Sequence, residues 1–380
     1  MKLAIGGLCL LICVILKPFL NIRFGNLYSS RIGHLCINID NYLTIRKANS
    51  SKEVAIFNIE KRVANKAIYG FWKNDKNLYF SRLARFPLFF LEKYFQNSNM
   101  KISYETEMMP IFSYASLSES NFCEDDLKKI FSDYCFKKFK IHAPYICFHN
   151  RDSAYLTHYG CDGNQHDFRD FNFEDYEIAI KNLKPLSITA VRLGEKIDKE
   201  VYFEGANFIS ITEEKRNDFS DINLIANSIF FVGCNTGFSH LSRVLRKPSL
   251  LINFIPFCMN ELSALPAHSL VLPKKIINIK ENRYLRFSDI FALPYDIHHK
   301  GDFFGDLGLR VINNTPEEIA DALLEMYLRI TGKWRDSELH THLQQNFWMS
   351  VENIKYSKLI RDHLGIRISS KFLERNHFLI

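Results

Sequence analysis

From Tyr145 onward, short apolar runs alternate with segments whose apolar residues recur at helical spacing. The apolar runs predict strands at residues 145–149, 187–193, 208–211, 229–233, 249–254 and 269–272. The segments between them predict helices at residues 173–184, 221–227 and 238–246, and Thr315-Pro316 predicts the start of another that runs to about Ile330. Because strands that alternate with helices form parallel sheets, we expect a Rossmann-like α/β domain over residues 142–332.

The N-terminal part of the chain follows the same plan less regularly. Strands are predicted at residues 19–24 and 53–59, and helices at residues 35–42, 86–95 and 125–140. We therefore expect a second α/β domain over residues 19–141, followed after the C-terminal domain by a helical tail over residues 333–380. The predicted fold class is α/β, with two Rossmann-like domains that face a cleft.

Residues 1–18 form an apolar N-terminal segment. The uncharged run from Leu3 to Leu16 is shorter than the roughly 20 residues that span a bilayer, and no cleavage signal follows it. We expect a signal anchor or a short helix embedded in one leaflet. The alternative is a buried helix or strand of the N-terminal domain.

The formal net charge of +7 suits an anionic ligand or an anionic membrane surface. Lys137, Lys138 and Lys140 are candidates for contact with lipid headgroups, although such clusters are often only solvated. No long Lys/Arg run or nucleic-acid-binding motif occurs, so we expect no nucleic-acid partner. The nine cysteines include no CxxC pair, which favours a reducing compartment and argues against a zinc site.

Small polar residues follow the predicted strand 229–233, in the loop Gly233-Cys234-Asn235-Thr236-Gly237. In a doubly wound sheet, ligands bind beyond the carboxyl ends of the strands. Gly237 permits close backbone approach, Thr236 offers a hydroxyl, and the N-terminus of the following helix, with His240 in its first turn, suits a phosphate. An ordinary turn with a threonine cap is the alternative.

Two other predicted strands end in arginine. Arg151 follows the strand 145–149 and is flanked by His149 and Asp152, and Arg192 precedes Gly194. Arginine pairs bidentately with phosphate, so both side chains are candidates for an anionic ligand. A salt bridge between Arg151 and a nearby acid is the alternative.

The stretch 231–248 resembles the donor-binding segment of the lipopolysaccharide heptosyltransferases, which have a GT-B fold. The matching residues are Gly233, Asn235, Thr236, Gly237, His240, Leu241 and Pro248. Most of the chain also resembles a family of bacterial glycosyltransferases, through the stretches 23–35, 65–73, 147–156, 168–180, 190–194 and 225–241. The pair His149 and Arg151 is similar to the motif with which some GT-B fucosyltransferases hold the donor diphosphate.

The resemblance implies that a sugar is transferred from a nucleotide-sugar donor to a cell-envelope saccharide or a lipid-linked acceptor, without a metal or other cofactor. It assigns the donor to one set of residues, Arg151, His149, Arg192, Gly194, Asn235, Thr236, Gly237 and His240. Arg31 and Gly33 are expected on the acceptor side. The heptosyltransferases carry an acid after Arg-x-Gly, where this chain has His34.

His34 is therefore the candidate base, with Asp152 and Asp40 behind it. A capping or core role is the alternative for His34. Two other functions stay open for the same fold: a non-catalytic sugar- or nucleotide-binding module of an envelope assembly complex, and a nucleotide-sugar epimerase. The expected location is a bacterial cytoplasm, at the inner face of the membrane. The sequence does not indicate the sugar, the nucleotide, the acceptor or the stereochemistry.

Overall fold

The computed structural model describes residues 2–16, 19–102, 119–141, 144–152, 158, 167–194, 199–211, 216–295 and 302–380. The chain divides into two compact units, Met1–Ile130 (unit 1) and Phe131–Ile380 (unit 2). The division lies eleven residues before the predicted one at 141/142. The predicted helix 125–140 is in fact two helices, Glu124–Ile130 and Tyr134–Phe139, and the second is fastened to unit 2 because the Cys135 N–H donates to Asn223 Oδ1 at 3.1 Å.

Unit 1 is built on a parallel sheet in the order β1-β2-β3. Its strands are β1 (Ile22–Leu27), β2 (Val54–Ile59) and β3 (Leu78–Phe80). Its helices are α1 (Lys2–Leu16), α2 (Ile32–Ala48), α3 (Lys66–Trp72), α4 (Arg85–Tyr94) and α5 (Glu124–Ile130). The strand predicted at 19–24 begins three residues later, and β3 and α3 are too short to give a clear apolar pattern.

The apolar N-terminal segment forms α1, which packs against α4 within unit 1. Leu10 and Cys13 are buried in that contact, whereas Leu8, Leu11 and Ile15 on the other side of the helix are 56–65% exposed. The buried-helix interpretation is therefore confirmed for one face of α1, and membrane contact stays a prediction for the exposed face. Among the described residues, no helix has both the length and the apolar character needed to cross a bilayer.

Unit 2 contains a seven-stranded sheet in which every neighbouring pair is parallel. Its strands are β4 (Tyr145–Phe148), β5 (Thr189–Arg192), β6 (Phe208–Ser210), β7 (Phe231–Gly233), β8 (Ser249–Phe254), β9 (Leu270–Pro273) and β13 (Arg367–Ile368). All six residues of β8 are buried, as expected for a continuous apolar run covered on both faces. The six strands that the sequence predicts here are confirmed, and the α/β class is confirmed with them.

The order of the strands is β13-β9-β8-β7-β4-β5-β6. If β4 is counted as the first strand, the six strands from β6 to β9 follow the order 3-2-1-4-5-6 of doubly wound nucleotide-binding sheets. The chain direction reverses across the sheet between β4 and β7, which are neighbours. Loops that leave these two strands turn to opposite faces, so a crevice opens between them at the carboxyl edge.

The helices of unit 2 connect and cover the strands. They are α6 (Tyr134–Phe139), α7 (Glu177–Lys181), α8 (Asp218–Asn227), α9 (Gly237–Val244), α10 (Met259–Ser263), α11 (Phe287–Phe291), α12 (Phe303–Asp306), α13 (Pro316–Ile330), α14 (Glu338–Ser350), α15 (Ser357–Leu359) and α16 (Ser370–Arg375). The predicted signals of α13 are confirmed. Thr315 Oγ1 accepts from the Glu318 N–H, Pro316 is its first residue, and Gly332 follows with a φ of +70°.

The C-terminal tail contains the helices α14, α15 and α16, in agreement with the sequence pattern, and it is also part of the core of unit 2. It contains β13, which pairs with β9 and extends the parallel sheet. Buried Ser369 and Ser370 donate to the fully buried carboxylate of Glu325 on α13 at 2.9 Å, which fastens the tail to the core. Unit 2 also contains a small antiparallel sheet of three strands, β10 (Lys275–Asn278), β11 (Arg283–Tyr284) and β12 (Leu309–Ile312). The central strand is β10, which pairs with β11 on one side and β12 on the other.

Candidate functional site

The loop between β7 and α9 is held in place by its own backbone. The Thr236 N–H donates to Ser239 Oγ, and that hydroxyl donates to the Thr236 carbonyl at 2.7 Å. Gly233 permits the close approach of β4, since a Cβ there would lie 2.7 Å from the Phe231 ring and 3.3 Å from the His149 carbonyl. α9 therefore begins at Gly237 with its first N–H groups directed beyond the sheet.

Two polar atoms of this loop are buried and have no partner. Asn235 Oδ1 and Thr236 Oγ1 make no hydrogen bond within the described part of the chain, although Asn235 Nδ2 donates to Glu261 Oε2 at 3.1 Å. A buried polar group without a partner costs about 1–3 kcal/mol. Such atoms at the carboxyl edge of a switch point are what a polar ligand would satisfy.

His149 closes the crevice from the β4 side. Its Nδ1 lies 3.0 Å from the Leu193 carbonyl, which can only accept, so the proton of the neutral ring is on Nδ1 and Nε2 carries the lone pair. The ring packs on Phe238 of α9 with 4.4 Å between centroids. Burial lowers the pKa of His149 to about 4, so this ring is neutral at pH 7.

Arg151 is engaged by an acid, as the alternative interpretation of its sequence position predicts. Its guanidinium forms an ion pair with Asp170, a residue that the sequence analysis did not single out. Burial raises the pKa of Asp170 to about 6, against the opposing effect of Arg151. Asp152 follows directly, is half-buried, and further raises the pKa of Asp170 by repulsion.

Arg192 is enclosed by protein. Only 2% of it is exposed, its guanidinium lies 4.1 Å from the centre of the Phe173 ring, and its Nη1 donates to the Lys199 carbonyl at 2.9 Å. Nη2 reaches Asn150 Oδ1 at 3.4 Å, so Arg192 holds the residue that precedes Arg151. Gly194 follows β5 and is buried.

Two cations that the sequence analysis missed lie beside the same loop. Lys274, at the end of β9, donates to the carbonyls of Phe168 and Asp170 at 2.7 and 3.1 Å, and burial lowers its pKa to about 8. Arg169 donates to Tyr295 Oη at 3.2 Å. The charges of Arg151, Lys274 and Arg169 all lower the pKa of the Cys234 thiol, which burial raises to about 11.

The structure therefore brings most of the predicted donor residues of unit 2 to one edge of the sheet. Asn235, Thr236 and Gly237 lie in the loop, and His240 lies in the first turn of α9, where its N–H reaches the Thr236 carbonyl at 3.4 Å. Lys274 could have been found because it follows an apolar run, as Arg151 does. Asp170 and Arg169 had no such signal, since they lie in a turn that only the fold brings to this edge.

The predicted residues of unit 1 lie around the start of α2. Arg31 precedes the helix and is exposed, Gly33 is buried in the first turn, and His34 is half-buried beside Tyr28, with 5.3 Å between ring centroids. Burial lowers the pKa of His34, and Arg31 lowers it further. His34 is therefore neutral at pH 7, with a ring nitrogen able to accept a proton.

Asp40 lies elsewhere on the same helix. It is fully buried six residues beyond His34, and its Oδ1 accepts from Asn121 Nδ2 at 2.9 Å. Six residues of helix correspond to about 9 Å, so Asp40 does not share the position of His34. Within the described ranges, no three His, Cys, Asp or Glu side chains are grouped as a metal site would require.

Similarity to known proteins is found in the structure and not in the sequence. The sequence matches no protein-family model and no curated protein. The structure is similar to a glycosyl transferase of family 9 from Veillonella parvula, with a TM-score of 0.51 and 10% identity, over 81% of this chain and 98% of that one. This similarity establishes the fold: the chain has the α/β fold of GT-B glycosyltransferases.

Two further solved structures have lower scores. The E. coli ADP-heptose lipopolysaccharide heptosyltransferase II has a TM-score of 0.48 and 12% identity, over 81% of this chain and 99% of that chain. The dodecameric iron-containing heptosyltransferase TibC, solved in complex with ADP-D-β-D-heptose, has a TM-score of 0.46 and 13% identity, over 82% of this chain and 78% of that chain.

Proposed function

We propose that this protein is a glycosyltransferase that binds the diphosphate of a nucleotide sugar at the β7–α9 loop of unit 2. The observation that carries the proposal is the pair of buried, unpartnered atoms, Asn235 Oδ1 and Thr236 Oγ1, at the switch point of a doubly wound sheet. The fold shared with a family 9 glycosyl transferase supports the same activity.

The chemistry of the loop fits a leaving nucleoside diphosphate. Charge develops on the phosphate oxygens as the glycosidic bond to the donor breaks, and preorganised donors at a helix N-terminus stabilise it. Thr236 and Gly237 supply a hydroxyl and backbone N–H groups, and His240 lies in the same turn. Arg151 supplies a cation once phosphate replaces Asp170 as its partner, while His149, Arg192 and Gly194 shape the crevice.

The acceptor hydroxyl needs a base if the configuration at the sugar is inverted. We assign this role to His34, because its lowered pKa keeps the ring unprotonated at pH 7. Arg31 and Gly33 lie at the same helix start. The acceptor class in this proposal is a cell-envelope saccharide or a lipid-linked saccharide, and the donor chemistry proceeds without a metal.

A thermal-shift screen against UDP, GDP, CMP and ADP, each with and without EDTA, tests donor binding. A ligand that binds only the native state raises Tm, by an amount that grows with ligand concentration. We expect one diphosphate to raise Tm equally with and without EDTA. Thr236→Val should abolish the shift, whereas Thr331→Val, which changes a threonine in the turn after α13, should keep it.

The outcomes separate the alternatives. A shift that EDTA removes would contradict metal independence. A shift that persists in Thr236→Val would contradict the assignment of the loop. Binding of one diphosphate without any release of it from the corresponding nucleotide sugar, in the presence of membrane extracts as acceptor, would favour the non-catalytic module.

We also propose that unit 1 attaches to the inner face of the cytoplasmic membrane through α1. Its outer face presents Leu8, Leu11, Ile12 and Ile15, at helical spacing, and Phe19 beyond it is 89% exposed. Co-sedimentation with phosphatidylcholine vesicles, with and without phosphatidylglycerol, measures the attachment. The double variant Leu11→Glu/Ile15→Glu should stay in the supernatant, while Leu324→Glu, an exposed leucine of α13, should sediment like the unaltered protein. Equal sedimentation of all three would overturn the proposal.

A further inference from the structure

The tail of unit 2 lines a cavity of about 570 Å³ that is open to solvent and that no part of the proposed transfer reaction uses. Gln344, Trp348 and Met349 of α14 line one side, and Arg361, Ile366 and Arg367 line another. The volume lies within the range of about 300–1,000 Å³ that is usual for small-molecule sites.

This cavity lies at the opposite edge of the sheet from the β7–α9 loop. Arg367 is the first residue of β13, and it pairs in parallel with Leu270, the first residue of β9. The cavity is therefore at the amino edge, whereas Asn235 and Thr236 follow the carboxyl end of β7. A ligand bound here would not compete for the donor position.

A buried glutamine in the cavity wall has no partner. Gln344 is only 6% exposed, and neither Nε2 nor Oε1 makes a hydrogen bond within the described residues. Arg367 Nε and Nη2 are buried without a hydrogen-bond partner in the same sense. These four atoms need three acceptors and one donor, and the cost of leaving them unsatisfied is characteristic of a site built for a polar ligand.

Each arginine of the cavity lies within ion-pair distance of an acid, and Asp336 is shared between Arg367 and Arg329. Arg361 Nε donates to Asp362 Oδ1 at 2.6 Å, and Arg367 Nη2 lies 3.2 Å from Asp336 Oδ2. A net anion would have to displace one of these acids. The unsatisfied atoms therefore favour a neutral ligand, whose groups both donate and accept.

We infer that this cavity is a second binding site, for a neutral saccharide. Hydroxyl groups of a sugar supply acceptors to Gln344 Nε2 and Arg367 Nε and a donor to Gln344 Oε1. The apolar C–H face of a sugar ring packs on Trp348 and on Met349, which is 58% exposed. The inference does not rest on the proposed transfer activity, because the residues and the edge of the sheet are different.

Saturation-transfer-difference NMR on the full chain tests the inference. The probes are the methyl glycosides of glucose, galactose, mannose and N-acetylglucosamine, with glucuronate and inorganic phosphate as charged probes. The key variant is Gln344→Leu, which removes the amide and keeps the volume. Asn346→Leu is the matched control, because this exposed amide on the same helix is bonded to His342 and is not part of the cavity wall.

We expect at least one neutral glycoside to bind, with affinity at least tenfold weaker in Gln344→Leu and unchanged in Asn346→Leu and Thr236→Val. The Tm of Gln344→Leu without sugar should be equal or higher, because an unsatisfied buried amide is removed. Absence of glycoside binding, binding that Gln344→Leu does not alter, binding of the charged probes alone, or a lower Tm of Gln344→Leu with sugar binding intact would each overturn the inference. Loss of the nucleotide shift in Thr236→Val with sugar binding retained would separate the two sites.

Discussion

Two turns of this protein have the same local plan and opposite polar chemistry. In unit 1, β1 leads through a polar turn into α2, and in unit 2, β7 leads through a polar turn into α9. In the first turn the polar atoms bond to their own unit: Ser29 Oγ donates to the Arg62 carbonyl at 2.9 Å and accepts from the Glu60 N–H at 3.1 Å. In the second, Asn235 Oδ1 and Thr236 Oγ1 make no hydrogen bond with any residue that the structure describes.

The two turns differ in hydrogen bonding because different segments of chain lie beside them. The end of β2 lies beside the end of β1, and the chain that follows it, through Glu60 and Arg62, saturates Ser29. At the switch point in unit 2, the chain that leaves β4 turns away from the chain that leaves β7. Similar turn residues thus become structural in one unit and available to a ligand in the other.

Two histidines beside these turns, His34 in α2 and His149 after β4, can be compared in the same way. Burial lowers the pKa of both His34 and His149. His149 is bonded to the backbone carbonyl of Leu193, whereas His34 is bonded to the side chain of Asn38 and is half-buried beside Tyr28. We therefore expect His34 to act on substrate and His149 to support the crevice.

The largest expected effect is that of His34→Gln. If His34 is the base, this change should lower kcat by about 10²–10⁴-fold, because general base catalysis typically contributes that much. The acid limb of the pH profile of kcat/KM should fall below the ordinary histidine pKa of 6.5, since the pKa of His34 is lowered. Release of nucleoside diphosphate from the nucleotide sugar chosen in the thermal-shift screen measures both.

Nucleotide affinity is the control for this variant, and it should be unchanged in His34→Gln. An unaltered kcat in a folded His34→Gln variant would contradict the catalytic role of His34 and leave it a structural role, like that of His149.

The next effect concerns stability at His149. The folded pKa of about 4 lies below the unfolded value of 6.5, so the unfolded state binds more protons between these values. Stability from this group is complete above pH 6.5 and decreases by about 3 kcal/mol as the pH falls to 4. Urea unfolding of the unaltered protein and of His149→Gln, at pH 7 and pH 5, measures it.

The raised pKa of Asp170 acts in the opposite direction, because the folded state then binds the extra proton. This contribution is common to both proteins and cancels in their difference. The gap in stability between them should narrow at pH 5, and a gap that is independent of pH would refute the buried neutral state of His149.

A smaller effect separates the two turns by stability. Ser29→Ala should lower the free energy of unfolding by about 1–3 kcal/mol, because it removes the two hydrogen bonds that the buried Ser29 hydroxyl makes with the Arg62 carbonyl and the Glu60 N–H. Thr236→Val should lower stability by less, since its hydroxyl makes no full hydrogen bond among the described residues and contributes only as the N-cap of α9. Chemical denaturation measures the free energy of unfolding of both variants. An equal decrease in the two would contradict the difference proposed between the turns.

The smallest effect is expected from Asp170→Asn. Removal of this carboxylate takes away one acid that competes with phosphate for Arg151, so the diphosphate found in the screen should bind several-fold more tightly. Isothermal titration calorimetry measures the change, with Asp167→Asn as the matched control on the same turn. Weaker binding in Asp170→Asn would show that the acid positions Arg151 for the ligand instead of competing with it.

Much of this protein follows from its sequence because the determining patterns are local. The buried run 249–254 and the Thr315-Pro316 start of α13 are written in consecutive residues, and both are confirmed. The same holds for the strand ends that carry Arg151 and Thr236. Apolar periodicity and capping depend on neighbours along the chain, which the sequence contains in full.

The tertiary structure decided which polar groups are saturated. Asp170 forms an ion pair with Arg151, the ring of Phe173 stacks on Arg192, and Ser29 donates a hydrogen bond to Arg62. The Thr236 hydroxyl and the Gln344 amide make no hydrogen bond among the described residues. The pairing of β13 with β9 could not be predicted from the sequence either, because a strand of two residues has no apolar periodicity. The sequence alone determined where polar side chains stand along each strand and helix. Only the fold decided which of them are left for a ligand, because hydrogen bonds and ion pairs form between segments that are far apart in the chain.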